Sequence, residues 1–426
     1  MAHHTVKTAY LKLYERLNKL PQGAPYSETL FKILEMLFSE KEARLVAQMP
    51  IRPFGVNEAA AIWRTTVPAA QKILDELSGR ALLVDLLQED EHQYVLPPPM
   101  AGFFEFSLMR YRGDIDQKAL SELYNQYLNV EEDFVKELFT AGETRLGRVF
   151  VHEPVLSDAN AIHVLDYERV SEVINAAEHI GIGVCYCRHK MMHMEKACSA
   201  PMDICMTFNS SAGSLTKNGF ARRVDAQECM DLLHQAYDHS LVQFGDNVTA
   251  GVNFVCNCCG CCCEAMLAAR RFGPLHAVHT TNFLPSLDSD KCKGCGKCVN
   301  VCPVEAMLLT SANDPKKPKA RKAKLDEDLC LGCGVCVRTC PSEAILLKSR
   351  PARVITPHDS AHRIVLMAIE RGKLQELILD HKVLWNHRLL AAVLGVILRL
   401  PPVKQAMASQ QVRSRYVRYL IERLST

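Results

Sequence analysis

The sequence predicts a multi-domain α+β protein, and three observations lead there. Its 426 residues exceed what one hydrophobic core holds, since single cores stop growing at about 250 to 300 residues. An apolar fraction of 48 % with 23 % charged residues is that of an ordinary water-soluble globular chain, which excludes a disordered or multi-span membrane protein. Helical apolar spacing alternates with short extended runs, while all 19 cysteines fall between Cys185 and Cys340. The cysteine count is odd, Met1–Tyr10 shows no secretory signal, and Cys261-Cys262-Cys263 suits no disulfide framework. A reducing, cytoplasmic setting with thiolates on metal is the expectation.

Up to about residue 115 the chain reads as helices followed by a hairpin. Ser27 precedes Leu30, Phe31, Ile33, Leu34 and Leu37 at helical spacing. Ser39 and Glu42 form a capping box for a second helix through Val46. A short helix over 56–63, a turn at 64–66 and a helix from Pro68 through Leu77 come next. Residues 81–87 and 92–96 read as strands around the acidic turn 89–91. The order of these elements resembles a winged helix-turn-helix domain, which implies DNA binding. The charges oppose that. Residues 51–100 hold four basic side chains against seven acidic ones, where a phosphate backbone needs clustered cations. With a net charge of only +2 for the whole chain, residues 1–115 are expected to bind protein, not nucleic acid.

Residues 116–285 read as a helical, Cys-rich α+β domain. Two helices lie between Asp116 and Thr140, with Leu120, Leu123, Tyr124 and Leu128 on one face. Residues 148–153 and 161–165 look extended, and Asp166 caps a helix over 167–177. Residues 181–187 read as a strand or loop carrying the first cysteines. Asp225 and Glu228 open a helix to about His239. The block 256–263 enters a helix through Arg271, stopped by Gly273-Pro274. Residues 286–350 form a compact Cys-rich unit, and 351–426 a helical tail with twelve basic and five acidic residues. The tail's longest apolar run, 389–398, is too short to span a bilayer. Trp385, Leu389, Leu390, Val393 and Ile397 beside Arg388, Arg399 and Lys404 make an amphipathic face. It covers the protein's own core or a subunit interface, or makes a peripheral membrane contact.

The strongest motif is a tandem repeat. Cys292, Cys295, Cys298 and Cys302-Pro303 recur in spacing as Cys330, Cys333, Cys336 and Cys340-Pro341. Three cysteines two residues apart can wrap a tight loop around one metal cube, with Gly294, Gly296, Gly332 and Gly334 turning backbone N–H groups toward sulfur. The pattern resembles bacterial two-cluster ferredoxins. The resemblance implies two [4Fe–4S] clusters, one on Cys292, Cys295, Cys298 and Cys340, the other on Cys330, Cys333, Cys336 and Cys302. Zinc is set aside here, because it does not call for four Cys-x-x-Cys pairs with two Cys-Pro ends. Between the halves, residues 314–324 set six basic side chains against Asp314, either a solvated hairpin tip or a docking surface for an acidic redox partner.

Eleven cysteines lie upstream. Cys229 fits a helix core with Leu232, Leu233 and Ala236. Cys185, Cys187, Cys198 and Cys205 form one group of candidate ligands. Cys256, Cys258, Cys259, Cys261, Cys262 and Cys263 form another. Adjacent cysteines rarely reach the same metal, so the six do not all serve one cube. Ten thiols suit one or two further [4Fe–4S] clusters, with Cys185, Cys187, Cys198 and Cys205 as first-choice ligands and some of the six completing a second. A structural zinc site with spare buried thiols is the alternative, and an open-iron or reactive-thiol site acting on substrate is a third reading. His189 or His193 could replace a thiolate, and Arg188 could donate to sulfur.

Several further segments carry a wider resemblance: Cys185-Tyr-Cys187-Arg188-His189-Lys190, Ala200-Pro201 with Cys205, Gly219 with Ala221-Arg222-Arg223, the block 256–263, and Pro98–Phe106. Together the chain resembles cytoplasmic 4Fe–4S dicluster-domain proteins of anaerobes, which implies electron transfer in an anaerobic oxidoreductase complex. No Gly-x-Gly-x-x-Gly follows a strand, so flavin or nicotinamide chemistry falls to a partner, a flavoprotein or other oxidoreductase subunit. The expected function is relay of single electrons between redox partners, as an electron-transfer subunit more than a catalytic one. The alternatives are a reductase acting through the upstream cysteine site on a substrate or disulfide, and a redox-responsive winged-helix regulator.

Overall fold

The computed structural model describes residues 2–378 apart from 89–90, 157–163, 276, 316, 352 and 355. It opens on α1 (Ala2–Leu17), which buries Tyr10, Leu13 and Leu17 and was not expected from the sequence. In α2 (Glu28–Leu37) the Ser27 side chain accepts the Thr29 N–H at 2.9 Å, satisfying an otherwise orphaned donor. The capping box of α3 (Glu40–Val46) forms as expected, with the Ser39 N–H donating to Glu42 at 2.7 Å. Helices α4 (Val56–Trp63) and α5 (Val67–Ser78) lead to an antiparallel sheet of order β1-β3-β2. Its strands are β1 (Phe54–Gly55), β2 (Val84–Gln88) and β3 (Glu91–Val95). Next come α6 (Phe104–Ser107), α7 (Gln117–Asn125), capped by Asp116, and α8 (Asp133–Thr140).

A six-stranded antiparallel sheet of order β4-β8-β9-β6-β5-β7 follows. Its strands are β4 (Gly147–Val149), β5 (Ile180–Val184), β6 (Asp203–Phe208), β7 (Ala221–Arg223), β8 (Val242–Asp246) and β9 (Phe254–Cys258). Around it lie α9 (Val170–Ala176), α10 (Tyr186–His193), α11 (Asn209–Lys217), α12 (Ala226–Asp238) and α13 (Glu264–Arg271). Asp225 caps α12 by accepting the Glu228 N–H at 2.8 Å. Cys229 is a buried core thiol, packed with Leu233 and Tyr237 among Ile174, Ile182 and Phe208. Three local expectations change. The segment 181–187 divides into β5 and the first turn of α10. Cys256 and Cys258 lie on a strand, not a helix lead-in. The helix after Asp166 is one tight turn (Asp166–Glu168) and then α9. Residues 161–163, expected to be extended, lie outside the described residues.

The tandem-repeat unit holds two antiparallel ribbons, β10 (Phe283–Leu287) with β13 (Ile345–Ser349) and β11 (Met307–Ser311) with β12 (Arg321–Leu325). Short helices α14 (Lys297–Val301) and α15 (Val335–Arg338) occupy equivalent places in the two halves. Finally α16 (Ser360–Glu370) and α17 (Leu374–Ile378) fold back. Arg363 makes a buried ion pair with Asp246, and Arg371 donates to the carbonyls of Pro21, Gln22 and Leu138 at 3.0–3.1 Å. The amphipathic face from Trp385 to Ile397 lies outside the described residues. Among those described, no helix is long and apolar enough to cross a membrane. One apolar core runs from Leu13 and Leu30 through Phe104 and Tyr124 to Cys258, Met266, Cys330 and Cys333. It is continuous across residues 115 and 285, where the composition shifts place domain boundaries.

Candidate metal centres

The tandem cysteines sit on two loops that each enter a short helix. Gly294 and Gly332 have φ of +65° and +72°, and a Cβ there would lie 2.0 Å from the Arg321 carbonyl oxygen and 2.1 Å from that of Phe283. Only glycine fits such a turn pressed against a neighbouring strand. Backbone N–H groups meet the sulfurs in matched fashion: Ala306 donates to Cys302 at 3.2 Å and Ala344 to Cys340 at 3.4 Å, four residues on in each half. Ala323 donates to Cys292 and Gly332 to Cys330, both at 3.4 Å.

Cys302 crosses between the halves. It lines a small apolar pocket together with Cys330, Cys333 and Cys336, walled by Pro303, Val304, Met307 and Leu325. Burial pushes the Cys330 thiol up to about 11 and that of Cys336 well above its ordinary value. Four sulfurs around one apolar space, three of them buried thiols that resist ionisation on their own (Cys330, Cys333 and Cys336), fit a cationic iron–sulfur core that compensates thiolate charge. The other set is nearer solvent: Cys295 is exposed, Cys292 and Cys340 are half-buried, and Cys298 is buried.

The ten upstream candidate cysteines divide six and four, but not in chain order. Cys185 caps α10, Cys187 lies in its first turn, Cys205 is on β6, Cys256 and Cys258 are on β9, and Cys263 caps α13. Contacts run from Cys185 to Cys205, to Cys256, to Cys258, to Cys263 (3.1 Å) and on to Cys187. The strand period of two turns Cys256 and Cys258 to one face. Hydrogen bonds from Cys205 and Cys258 draw the Cys256 thiol down to about 6. The bond to Cys263 holds Cys187 well above its ordinary value.

The second group is Cys198, Cys259, Cys261 and Cys262, whose sulfurs all lie within 4.8 Å of one another. The expected grouping of Cys198 with Cys185, Cys187 and Cys205 is therefore not the one the fold makes. Cys198 belongs to the loop after α10, which carries it to the turn between β9 and α13. His189 and His193 pair with each other at 3.1 Å, and His189 also meets the Leu108 carbonyl.

Arg188 is 1 % exposed and stands between the two groups. Its guanidinium donates to the Pro201 and Asn257 carbonyls at 3.0 and 2.8 Å. Burial opposes its charge, but the thiols of Cys185, Cys259, Cys205 and Cys198 hold it protonated. Lys190 and Glu264 form a fully buried ion pair one residue from Cys263. Glu105 faces the same region; burial pushes its carboxyl up to about 7, against donation from the Ala101 and Gly102 N–H groups. Sequence reasoning missed the roles of Lys190, Glu264 and Glu105: no spacing rule links Lys190 to Glu264, 74 residues apart, and Glu105 reaches this region only through the fold.

The upstream turn rests directly on the tandem unit. A Cβ on Gly260 would lie 2.6 Å from the Pro303 carbonyl oxygen, next to the crossing Cys302. Arg270 of α13 pairs with Glu305 at 2.7 Å, and one apolar cluster joins Cys258 and Cys263 to Val304, Cys330 and Cys333.

A family model described as a 4Fe-4S dicluster domain matches residues 291–344. We found no curated protein that matches the chain. The match supports two [4Fe–4S] clusters in this part of the molecule and, with the upstream cysteine cluster, an iron–sulfur electron-transfer role.

Proposed function

We propose that the chain relays single electrons between redox partners, from the upstream six-thiol nest through the tandem unit or in reverse. The apolar cluster that continues from Cys258 and Cys263 of the nest to Cys330 and Cys333 of the tandem unit carries this reading, with the Gly260 turn seated on Pro303 beside it. Cys292, Cys295, Cys298 and Cys340 hold one cluster, Cys330, Cys333, Cys336 and Cys302 the second, and four of the six nest thiols, whose sulfurs run in a chain and do not converge on one point, a further one. Bound there, these clusters supply one-electron acceptance and release. The chain's own residues do the rest. The apolar walls exclude water, the N–H groups of Ala306, Ala323, Gly332 and Ala344 temper sulfur charge, and Arg188 offsets the thiolates it faces.

The solvent-near set lies under the basic ribbon β11–β12, whose Ala323 N–H meets Cys292. That ribbon is the docking face for an acidic partner, a flavoprotein or other oxidoreductase subunit of an anaerobic complex. The region up to residue 115 serves as a winged-helix-like interaction domain in a cytoplasmic assembly.

Iron and acid-labile sulfide in the anaerobically purified full chain test the reading. About twelve of each per chain are expected, and about eight would remove the nest from the relay. The reduced protein should also give EPR signals broadened by coupling between neighbouring spins, narrowed when Cys205→Ala empties the nest. Sharp, independent signals in the unaltered chain would overturn the proposed contiguity.

A further inference from the structure

We propose that Cys198, Cys259, Cys261 and Cys262 hold a single zinc ion in tetrahedral thiolate geometry, separate from the iron-binding thiols. The inference deepens the reading above and rests on it for the iron in the nest, not for the tetrad itself.

Distances carry it. Cys198 and Cys259 sulfurs are 3.6 Å apart, Cys261 and Cys262 3.7 Å, and Cys262 and Cys198 3.9 Å. Zinc–thiolate bonds of about 2.3 Å at tetrahedral angles place ligand sulfurs roughly 3.8 Å apart. A cubane needs a wider arrangement, since each thiolate ends on a different iron. The molecule contains its own comparison. Among the described residues, no three of the tandem cysteines bring their sulfurs within the 4.8 Å that encloses the tetrad. One group is spaced for a cube, the other for one ion.

Local chain chemistry agrees. Cys259-Gly260-Cys261-Cys262 contains the Cys-x-x-Cys knuckle found in thiolate zinc sites, and Cys198 reaches it from the loop between α10 and β6. Adjacent cysteines rarely reach the same metal, yet the sulfurs of Cys261 and Cys262 converge, because the turn folds both to one side. An all-thiolate tetrahedral set selects zinc or iron over harder ions, and four thiolates on zinc leave a dianion that Arg188 faces from the protein side. Zinc has no redox chemistry, so the ion is a clasp. It ties the loop carrying Pro201 and Met202, whose carbonyls accept from Arg188 and from the Cys185 N–H at 2.7 Å, to the turn that seats on Pro303.

The test measures zinc and iron together in the anaerobically purified full chain, in Cys261→Ser and in Cys198→Ala. Cys261 is exposed, so its replacement leaves the core intact should the Cys198 variant fold poorly. One zinc per chain is expected, with four sulfurs at about 2.3 Å by zinc X-ray absorption. Both variants should lose that zinc at least tenfold faster to a chelator while keeping their iron. Zinc absent from the unaltered chain, or iron lost from Cys261→Ser, overturns the proposal. About eight irons with one zinc would sink the nest cluster and leave the clasp standing; about twelve irons without zinc would do the opposite.

Discussion

Lys190 and Glu264 face one another with no access to water, and this pair positions the mouth of the six-thiol nest. It fixes α10, whose first turn carries Cys187, to α13, whose cap is Cys263. Leaving one partner of a buried ion pair uncompensated costs about 3 to 5 kcal/mol, whereas replacing both with apolar groups of similar volume is close to neutral. Lys190→Met should therefore lower the denaturation midpoint strongly. Adding Glu264→Leu should restore most of the loss, and equal stability of single and double variants in denaturant would refute the account. Glu264 has a second role in view: its Oε1 accepts from Asn129 at 3.4 Å, so the pair also anchors the region after α7. Removing the lysine alone should lower iron content in the nest while leaving the tandem unit loaded.

At the scale of elements, the basic ribbon β11–β12 is the feature with a partner-dependent readout. Lys317 and Lys319 are exposed at its tip, and the backbone of Arg321 is pressed against Gly294 in the first cysteine loop. Charge on such a surface changes the rate of encounter more than the strength of the final complex. Lys317→Glu with Lys319→Glu should slow reduction by an acidic redox protein about tenfold at low ionic strength, the difference closing at high salt. A salt-independent defect in stopped flow would place docking elsewhere. The elements legible in the sequence were those set by local rules. The Ser39–Glu42 box, the Asp225 cap and the tandem cysteine loops all depend on neighbours within a few residues. The six-and-four division was not legible, because it depends on the strand order β4-β8-β9-β6-β5-β7. That order puts β6 beside β9, and so Cys205 against Cys256, 51 positions apart in the chain. Neither β6 nor β8 was expected from the sequence, since their short runs carry no clear alternation.

Across the whole molecule, metal loading rewrites the charge. The polypeptide alone carries +2. Each oxidised [4Fe–4S] core with four thiolates adds about −2, and zinc on four thiolates another −2 or so. With the proposed three clusters and one zinc bound, the molecule would turn clearly acidic, to about −6. The loaded protein should bind an anion exchanger at pH 7 and focus below the metal-free chain in an anaerobic native gel. Identical mobility would mean that the sites are empty or differently charged. On the proposed reading, a net negative body with a basic ribbon over its solvent-near cysteines would orient the approach of an acidic partner.

The turn around Gly260 is also a place where the chain tolerates no growth. Its backbone sits where even a methyl group would collide with the Pro303 carbonyl, so Gly260→Ala must push the turn off the tandem unit or displace the residue after Cys302. One substitution at a residue that carries no sulfur would therefore disturb two neighbouring groups of thiols at once.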